Sequence, residues 1–130
     1  MSALPMTVTA LSRYFVGEAL YWQPTVLPGV LYRPYSGEQM ATTGPERTAQ
    51  TGTLWIPARG GRRSPSEFAA AGDKTGLFTL CPGDYIVPGA IDTARLRGDA
   101  REKYPQALRI VSVTERMYGS SLDHWEVAVR

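Results

Sequence analysis

The sequence predicts an all-β fold, mainly antiparallel, built as a small barrel or sandwich with one or two short helices. Three observations carry that reading. Six to eight short β-prone runs are bounded by Pro and Gly along the 130 residues. The chain holds 13 glycines and 10 prolines with 43% hydrophobic residues. Gly and Pro usually make up about 12% of a chain, so this excess predicts many turns between packed strands. No β-α-β rhythm, fixed repeat or heptad pattern competes with an antiparallel, partly open barrel or sandwich.

Taken in order, Met6 to Leu11 alternates Thr with apolar residues and reads as the first strand. Gly17-Glu18 looks like a turn, and the segment from Ser12 up to it is less defined. Leu20-Tyr21-Trp22-Gln23 is a second run, which Pro24 ends, and Val26 to Tyr32 follows with Pro28-Gly29 as a turn or bulge. Proline cannot donate to a ladder, so Pro24 and Pro28 belong at edges or kinks. Arg33 to Thr51 has few large aliphatics, and a loop of that length in one domain is usually functional or mobile, or simply an exposed hairpin excursion. Thr53 to Pro57 is a strand with Leu54 and Ile56 on one face and Thr53 and Trp55 on the other.

Ser64-Pro65-Ser66-Glu67 has Ser at the N-cap, Pro at the first helical position and Glu at the third. This predicts a short capped helix, stopped by Gly72, whose Phe68 plugs one open end of a sheet. Gly76 to Ile91 reads as the strongest hairpin: a strand Leu77 to Cys81, a turn at Pro82-Gly83-Asp84, and a strand Tyr85 to Val87 that Pro88-Gly89 ends. Asp92 to Tyr104 holds helix formers, with Asp99 placed to cap a turn containing Glu102 and Pro105 limiting its length. Leu108 to Val113 is a strand, joined through Tyr118 to Ser121 to a last one over Leu122 to Arg130. In that last strand Trp125, Val127 and Val129 face one way, and His124, Glu126, Ala128 and Arg130 the other.

Length bounds the chain to a single β-rich domain over 1–130, carrying one long loop around 33–51. Fourteen basic and 12 acidic side chains leave a net charge of +2, too small a field to argue for nucleic acid by itself. The one cysteine, Cys81, excludes an intrachain disulfide and fits a reducing compartment. The N-terminal residues lack a basic lead and a long apolar core, and no apolar run approaches the roughly 20 residues of a membrane span. The expectation is a soluble protein, made inside the cell, with no membrane partner.

Little of the side-chain chemistry assembles. Cys81 and His124 cannot supply the ligands of a zinc site, so neither metal nor cofactor is expected. Cys81 reads as a small hydrophobe packed in its strand, and His124 as an exposed or hydrogen-bonded residue beside Trp125. Asp84 looks structural, and Gly60-Gly61 lacks the strand and helix context of a phosphate loop. The expectation is a protein that is not an enzyme. Arg59, Arg62 and Arg63 form a basic contact loop able to grip phosphate or carboxylates, or else a solvated turn. Trp22, Trp55, Tyr21, Tyr32 and Tyr35 read first as core, with a base-stacking platform as the alternative.

Three groups of residues carry a resemblance. They are Thr51 to Ala58; Ser64-Pro-Ser-Glu-Phe with Gly76-Leu-Phe-Thr-Leu and Gly83-Asp-Tyr-Ile-Val-Pro-Gly89; and Arg109-Ile-Val-Ser-Val-Thr with Tyr118-Gly-Ser-Ser-Leu-Asp-His-Trp125. Together, over most of the chain from Met6, they resemble tailed-phage minor capsid proteins of the head-closure (head–tail stopper, head-tail connector) family. The resemblance implies a virion structural protein at the phage neck, made in the host bacterial cytoplasm. It implies a homo-oligomeric ring beneath a portal or adaptor protein, docking tail proteins and helping to retain packaged DNA without sequence-specific binding. The loop around 33–51 is of the kind that would contact a partner or the channel, with Tyr35, Glu38, Gln39, Met40, Glu46 and Arg47 as candidates. Exposed strand edges, completed by ring neighbours, would suit such an assembly. The alternatives are a tail-completion or terminator ring subunit, and an oligonucleotide-binding β-barrel using the three arginines and exposed aromatics.

Overall fold

The first strand does not stop at Leu11 but stays extended through Ser12-Arg13-Tyr14-Phe15-Val16. In the computed structural model, which describes residues 5–34, 52–91, 95–119 and 122–130, β1 spans Pro5–Val16 and β2 spans Ala19–Pro34. Gly17-Glu18 joins them as expected, with Gly17 at φ +62, the opening residue that suits a two-residue hairpin turn.

Pro24 does not end a strand, contrary to expectation. The outer edge of β2 pairs with β5 (Leu96–Arg97) only at Tyr21 and Trp22, and with β3 (Gly52–Pro57) only from Leu31 to Pro34. Between those contacts no strand among the described residues occupies that edge, so proline is tolerated there while β1 continues on the other side. Pro28-Gly29 is the bulge alternative. The register steps from Met6↔Val30 to Val8↔Leu27, and Gly29 takes φ +74.

The remaining strands are β4 (Tyr85–Pro88), β6 (Leu108–Arg116) and β7 (His124–Val129). Neighbours run β1-β4-β6-β7-β3-β2, and β2 returns to β1, closing a six-stranded antiparallel barrel with β5 added at β2. The fold is thus a small all-β barrel, closed rather than partly open. Because every neighbour is antiparallel, the strand ends alternate between two rims. One rim carries Pro34 and Gly52, which pair with each other, together with Pro5, Pro88 and Val129. The opposite rim carries the β1–β2 turn, Pro57, Arg116 and His124.

The Gly76 to Ile91 hairpin is not formed. Leu77 to Cys81 makes no ladder; Phe78 has only an isolated bridge to Arg62, and β4 pairs with β1 and β6 instead. Leu80 sits at φ +52, a left-handed position unusual for a branched residue, and this bend breaks the extended run. The turn itself is real: Asp84 N donates to Cys81 O at 2.9 Å, with Gly83 at φ +95.

Packing follows the alternation. Leu54, Ile56, Trp125, Val127 and Val129 point into the barrel with Val8, Ala10, Phe78, Leu80, Ile86 and Ile110. A second apolar cluster lies on the outer wall, where Leu11, Trp22 and Val87 meet Leu96, Ala100 and Ala107. β1 is therefore covered on both faces, which explains the unbroken buried run from Val8 to Ser12. Two short helices complete the fold. The first, α1 (Pro65–Ala70), has the full capping box between Ser64 and Glu67 and ends on Ala71, one residue before Gly72. Its Phe68 is fully buried, edge-on to Tyr14 of β1 at 5.8 Å, and burying such a ring contributes about 2–3 kcal/mol. The second, α2 (Ala100–Lys103), is capped by Asp99, which accepts from Arg101 N at 3.0 Å.

Candidate functional site

The loop after β3, the 79–81 segment, the end of β6 and Trp125 together enclose an open groove of about 540 Å³. Gly61 makes the loop possible. At φ +105 it lies so close to Gly76 that a Cβ would fall 2.4 Å from the Gly76 carbonyl oxygen. Phe78 N then donates to Gly61 O at 3.0 Å, and Arg63 N to Phe78 O at 2.8 Å.

The structure brings Arg59, Arg62 and Arg63 together along this groove, and each guanidinium already donates to a protein acceptor. Arg59 Nη2 reaches Pro28 O at 2.7 Å and its Nε reaches Pro57 O at 3.2 Å; partial burial lowers its pKa. Arg62 donates from Nε to Thr79 O at 3.3 Å and from Nη1 to Glu115 at 2.8 Å, and lies over the Trp125 ring at 5.2 Å. Arg63 Nη1 donates to Arg62 O at 3.0 Å. Arg59 ties the loop back to β2 and to the end of β3, and Arg62 ties it to the 79–81 segment and to β6. The loop candidates Tyr35, Glu38, Gln39, Met40, Glu46 and Arg47 lie outside the described residues.

Cys81 lines the same groove half-buried, off any strand, rather than packed in one as expected. Burial first, and then the neighbouring Asp84, pushes its thiol up, away from the thiolate a nucleophile needs. Asp84 is structural as expected. Its carboxylate accepts from the Thr79 hydroxyl, from Cys81 N at 3.1 Å and from Arg13 N at 3.3 Å. Burial raises its pKa against those bonds.

His124 is hydrogen-bonded, the second of its expected environments. Nδ1 is 2.9 Å from Leu122 O, Nε2 is 3.0 Å from Glu126, and the ring stacks on Trp55 at 4.3 Å. The imidazole and the Arg116 guanidinium hold Glu126 below its ordinary range. His124 precedes Trp125 on β7, so the two side chains take opposite faces of the strand. Trp125 lines the groove beside Cys81, and no Cys–His pair assembles. Among the described residues no group of three or more His, Cys, Asp or Glu is placed to hold a metal ion. Nor, among them, is any helix long and apolar enough to cross a membrane.

The aromatics follow the core reading more than the platform. Trp22 is buried in the outer cluster and donates Nε1 to Gly98 O at 2.7 Å. Tyr32 packs against the barrel core, and Tyr21 stacks on Tyr14 at 5.7 Å beneath Arg95.

What the sequence reading missed sits at the same rim as the groove. Phe15 and Val16, at 62% and 56% exposure, flank the β1–β2 turn; Met117, Tyr118 and Leu122 are exposed at the β6–β7 connection. One sequence signal was available: Phe15-Val16 places two large apolar residues together immediately before a turn, where a half-buried strand would alternate.

A family model described as a family of unknown function (DUF6751) matches residues 6–130. No curated protein matches the chain, and no solved structure does.

Proposed function

The chain belongs to that family of unknown function, and we propose that it is a non-catalytic virion structural protein, a ring subunit at the head–tail junction of a tailed phage. In that role it closes the filled head, helps to retain DNA and docks the tail. The observation that supports this reading is the difference between the two rims of the barrel. At one rim Pro34 pairs with Gly52, and the 17 residues numbered 35–51 join the two. At the other, two hairpin ends expose Phe15, Val16, Met117, Tyr118 and Leu122.

A closed barrel has few free edges, so contacts between neighbours fall to these ends rather than to strand edges. Apolar side chains held out at turns are a cost in water that a neighbouring subunit removes. The test is deletion of the gene from the phage or prophage genome, followed by electron microscopy of the particles. The expected product is packaged heads that lose their DNA and carry no tails. Intact, infectious particles would refute the reading. Tailless heads that keep their DNA, or free tails of uncontrolled length, would favour the tail-completion alternative.

A further inference from the structure

Arg109 N donates to Arg130 O at 2.7 Å and Arg130 N donates back to Arg109 O at 2.9 Å. Residues that exchange both bonds lie directly opposite, with their side chains on one face of the sheet. Like charges in that position repel. Arg109 also pairs with Tyr85 of β4, and Tyr85 pairs with Leu11 of β1, two residues before Arg13. Period-two alternation therefore puts Arg13, Tyr85, Arg109 and Arg130 on the same outer face.

Around them lies an open depression of about 400 Å³, lined by Arg13, Gly83, Arg109, Val111 and Arg130. Unlike Arg59, Arg62 and Arg63, these three arginines have no side-chain hydrogen bond or ion pair among the described residues. The carboxylate beside Arg13, that of Asp84, is buried and already accepts from Thr79, Cys81 and the Arg13 amide. Two features fix the geometry. A Cβ on Gly83 would lie 3.3 Å from both terminal nitrogens of Arg13, so the bare glycine lets that guanidinium rest against the turn. Arg101 stacks over Tyr85 at 5.1 Å and donates to Arg130 O at 3.0 Å, bracing the other side.

We propose that the depression formed by Arg13, Arg109 and Arg130 over the Gly83 turn binds phosphate groups. Three guanidinium forks on one wall suit phosphate oxygens, and a bound dianion turns the Arg109–Arg130 repulsion into attraction. The phosphate comes from a nucleic-acid backbone or from a free phosphate compound. The site stands on the barrel's own geometry and holds whether or not the chain forms a ring.

The test uses the whole chain and two probes: a labelled duplex DNA followed by fluorescence anisotropy over a salt series, and inorganic pyrophosphate followed by calorimetry. A triple variant, Arg13→Gln, Arg109→Gln and Arg130→Gln, is compared with a charge control, Arg33→Gln, Arg97→Gln and Lys103→Gln. The triple variant should weaken whichever probe binds by about tenfold or more and flatten the salt slope, with the control within about threefold of wild type. Pyrophosphate binding without duplex binding supports the site and assigns it to a free phosphate; duplex binding alone assigns it to the nucleic-acid backbone. Should the triple variant unfold, the single Arg109→Gln variant replaces it. Without anion its melting temperature should equal or exceed that of wild type, and added pyrophosphate should raise it less. Equal losses in the triple variant and the control, or no binding of either probe, overturns the proposal.

Discussion

Asp84 accepts the hydroxyl of Thr79 across a turn in which both are buried, at 3% and 2% exposure. The same carboxylate accepts Cys81 N and Arg13 N, so one side chain ties the irregular 79–84 segment to β1. Replacing it with alanine leaves three donors without acceptors. Asp84→Ala should cost about 3 kcal/mol in urea-unfolding free energy, and a loss below about 1 kcal/mol would show that the turn holds without it.

Burial raises the Asp84 pKa, and this sets the sign of a pH dependence. The folded state holds the proton more tightly than the unfolded one. Its contribution is fully present below the ordinary aspartate value of about 3.9 and declines as pH rises through the raised native value. Glu126 works in reverse: its lowered pKa gives stability above the ordinary glutamate range that is lost as pH falls. Asn mimics the protonated carboxyl and does not titrate. In unfolding free energies measured from acid to neutral pH, wild type should therefore lose stability relative to Asp84→Asn as pH rises through the raised native value. A difference independent of pH would contradict the assignment.

Gly61 and Gly72 make a matched pair. A methyl on Gly61 meets the Gly76 carbonyl at 2.4 Å and is strained at φ +105, while a methyl on Gly72 meets nothing within 4 Å. Gly61→Ala should lose about 2 kcal/mol or more, and Gly72→Ala should stay within about 0.5 kcal/mol of wild type. Thermal melts of the two proteins decide it.

How much of this was legible in the sequence depends on the range of the signal. The inward Leu54 and Ile56, the alternating Trp125, Val127 and Val129, and the Ser64–Glu67 cap rest on local period and capping chemistry, and all are found as expected. Pro24 inside β2 was not legible, because tolerance there depends on which stretch of the far edge is left unpaired. The Leu77 to Cys81 segment has the composition of a strand, yet the bend at Leu80 and the bridge to Arg62 override it. At the groove, the sequence found Arg59, Arg62 and Arg63 because they are neighbours in the chain. Arg13, Arg109 and Arg130 become neighbours only once β1, β4, β6 and β7 are in register.

Arg62 and Arg63 separate tether from surface charge. Arg62→Ala loses the bonds to Thr79 O and Glu115 and the contact with Trp125, whereas the Arg63 guanidinium, among the described residues, donates to the carbonyl of its neighbour Arg62. Chemical denaturation should show a cost of about 1–2 kcal/mol for Arg62→Ala and under about 0.5 kcal/mol for Arg63→Ala. Equal costs would mean that Arg62 does not join the two segments.

On the ring reading, the exposed tips at the β1–β2 turn serve assembly and should be dispensable for folding. Phe15→Ser with Val16→Ser removes apolar surface that no core residue needs, so stability should move by no more than about 0.5 kcal/mol. Assembly with neighbours should fail in the same protein. A double variant that assembles normally would remove these residues from any interface.

The central claim, that this barrel is a ring subunit of a phage neck, is tested most directly by imaging. Purified protein is mixed with portal rings, or portal–adaptor complexes, from the same genome and examined by cryo-electron microscopy. A neck subunit should form a closed ring docked coaxially on the complex, with the Phe15 and Met117 rim buried between subunits or against the partner. Bare portal complexes alongside unassociated protein, at concentrations where head and tail parts otherwise join, would contradict it.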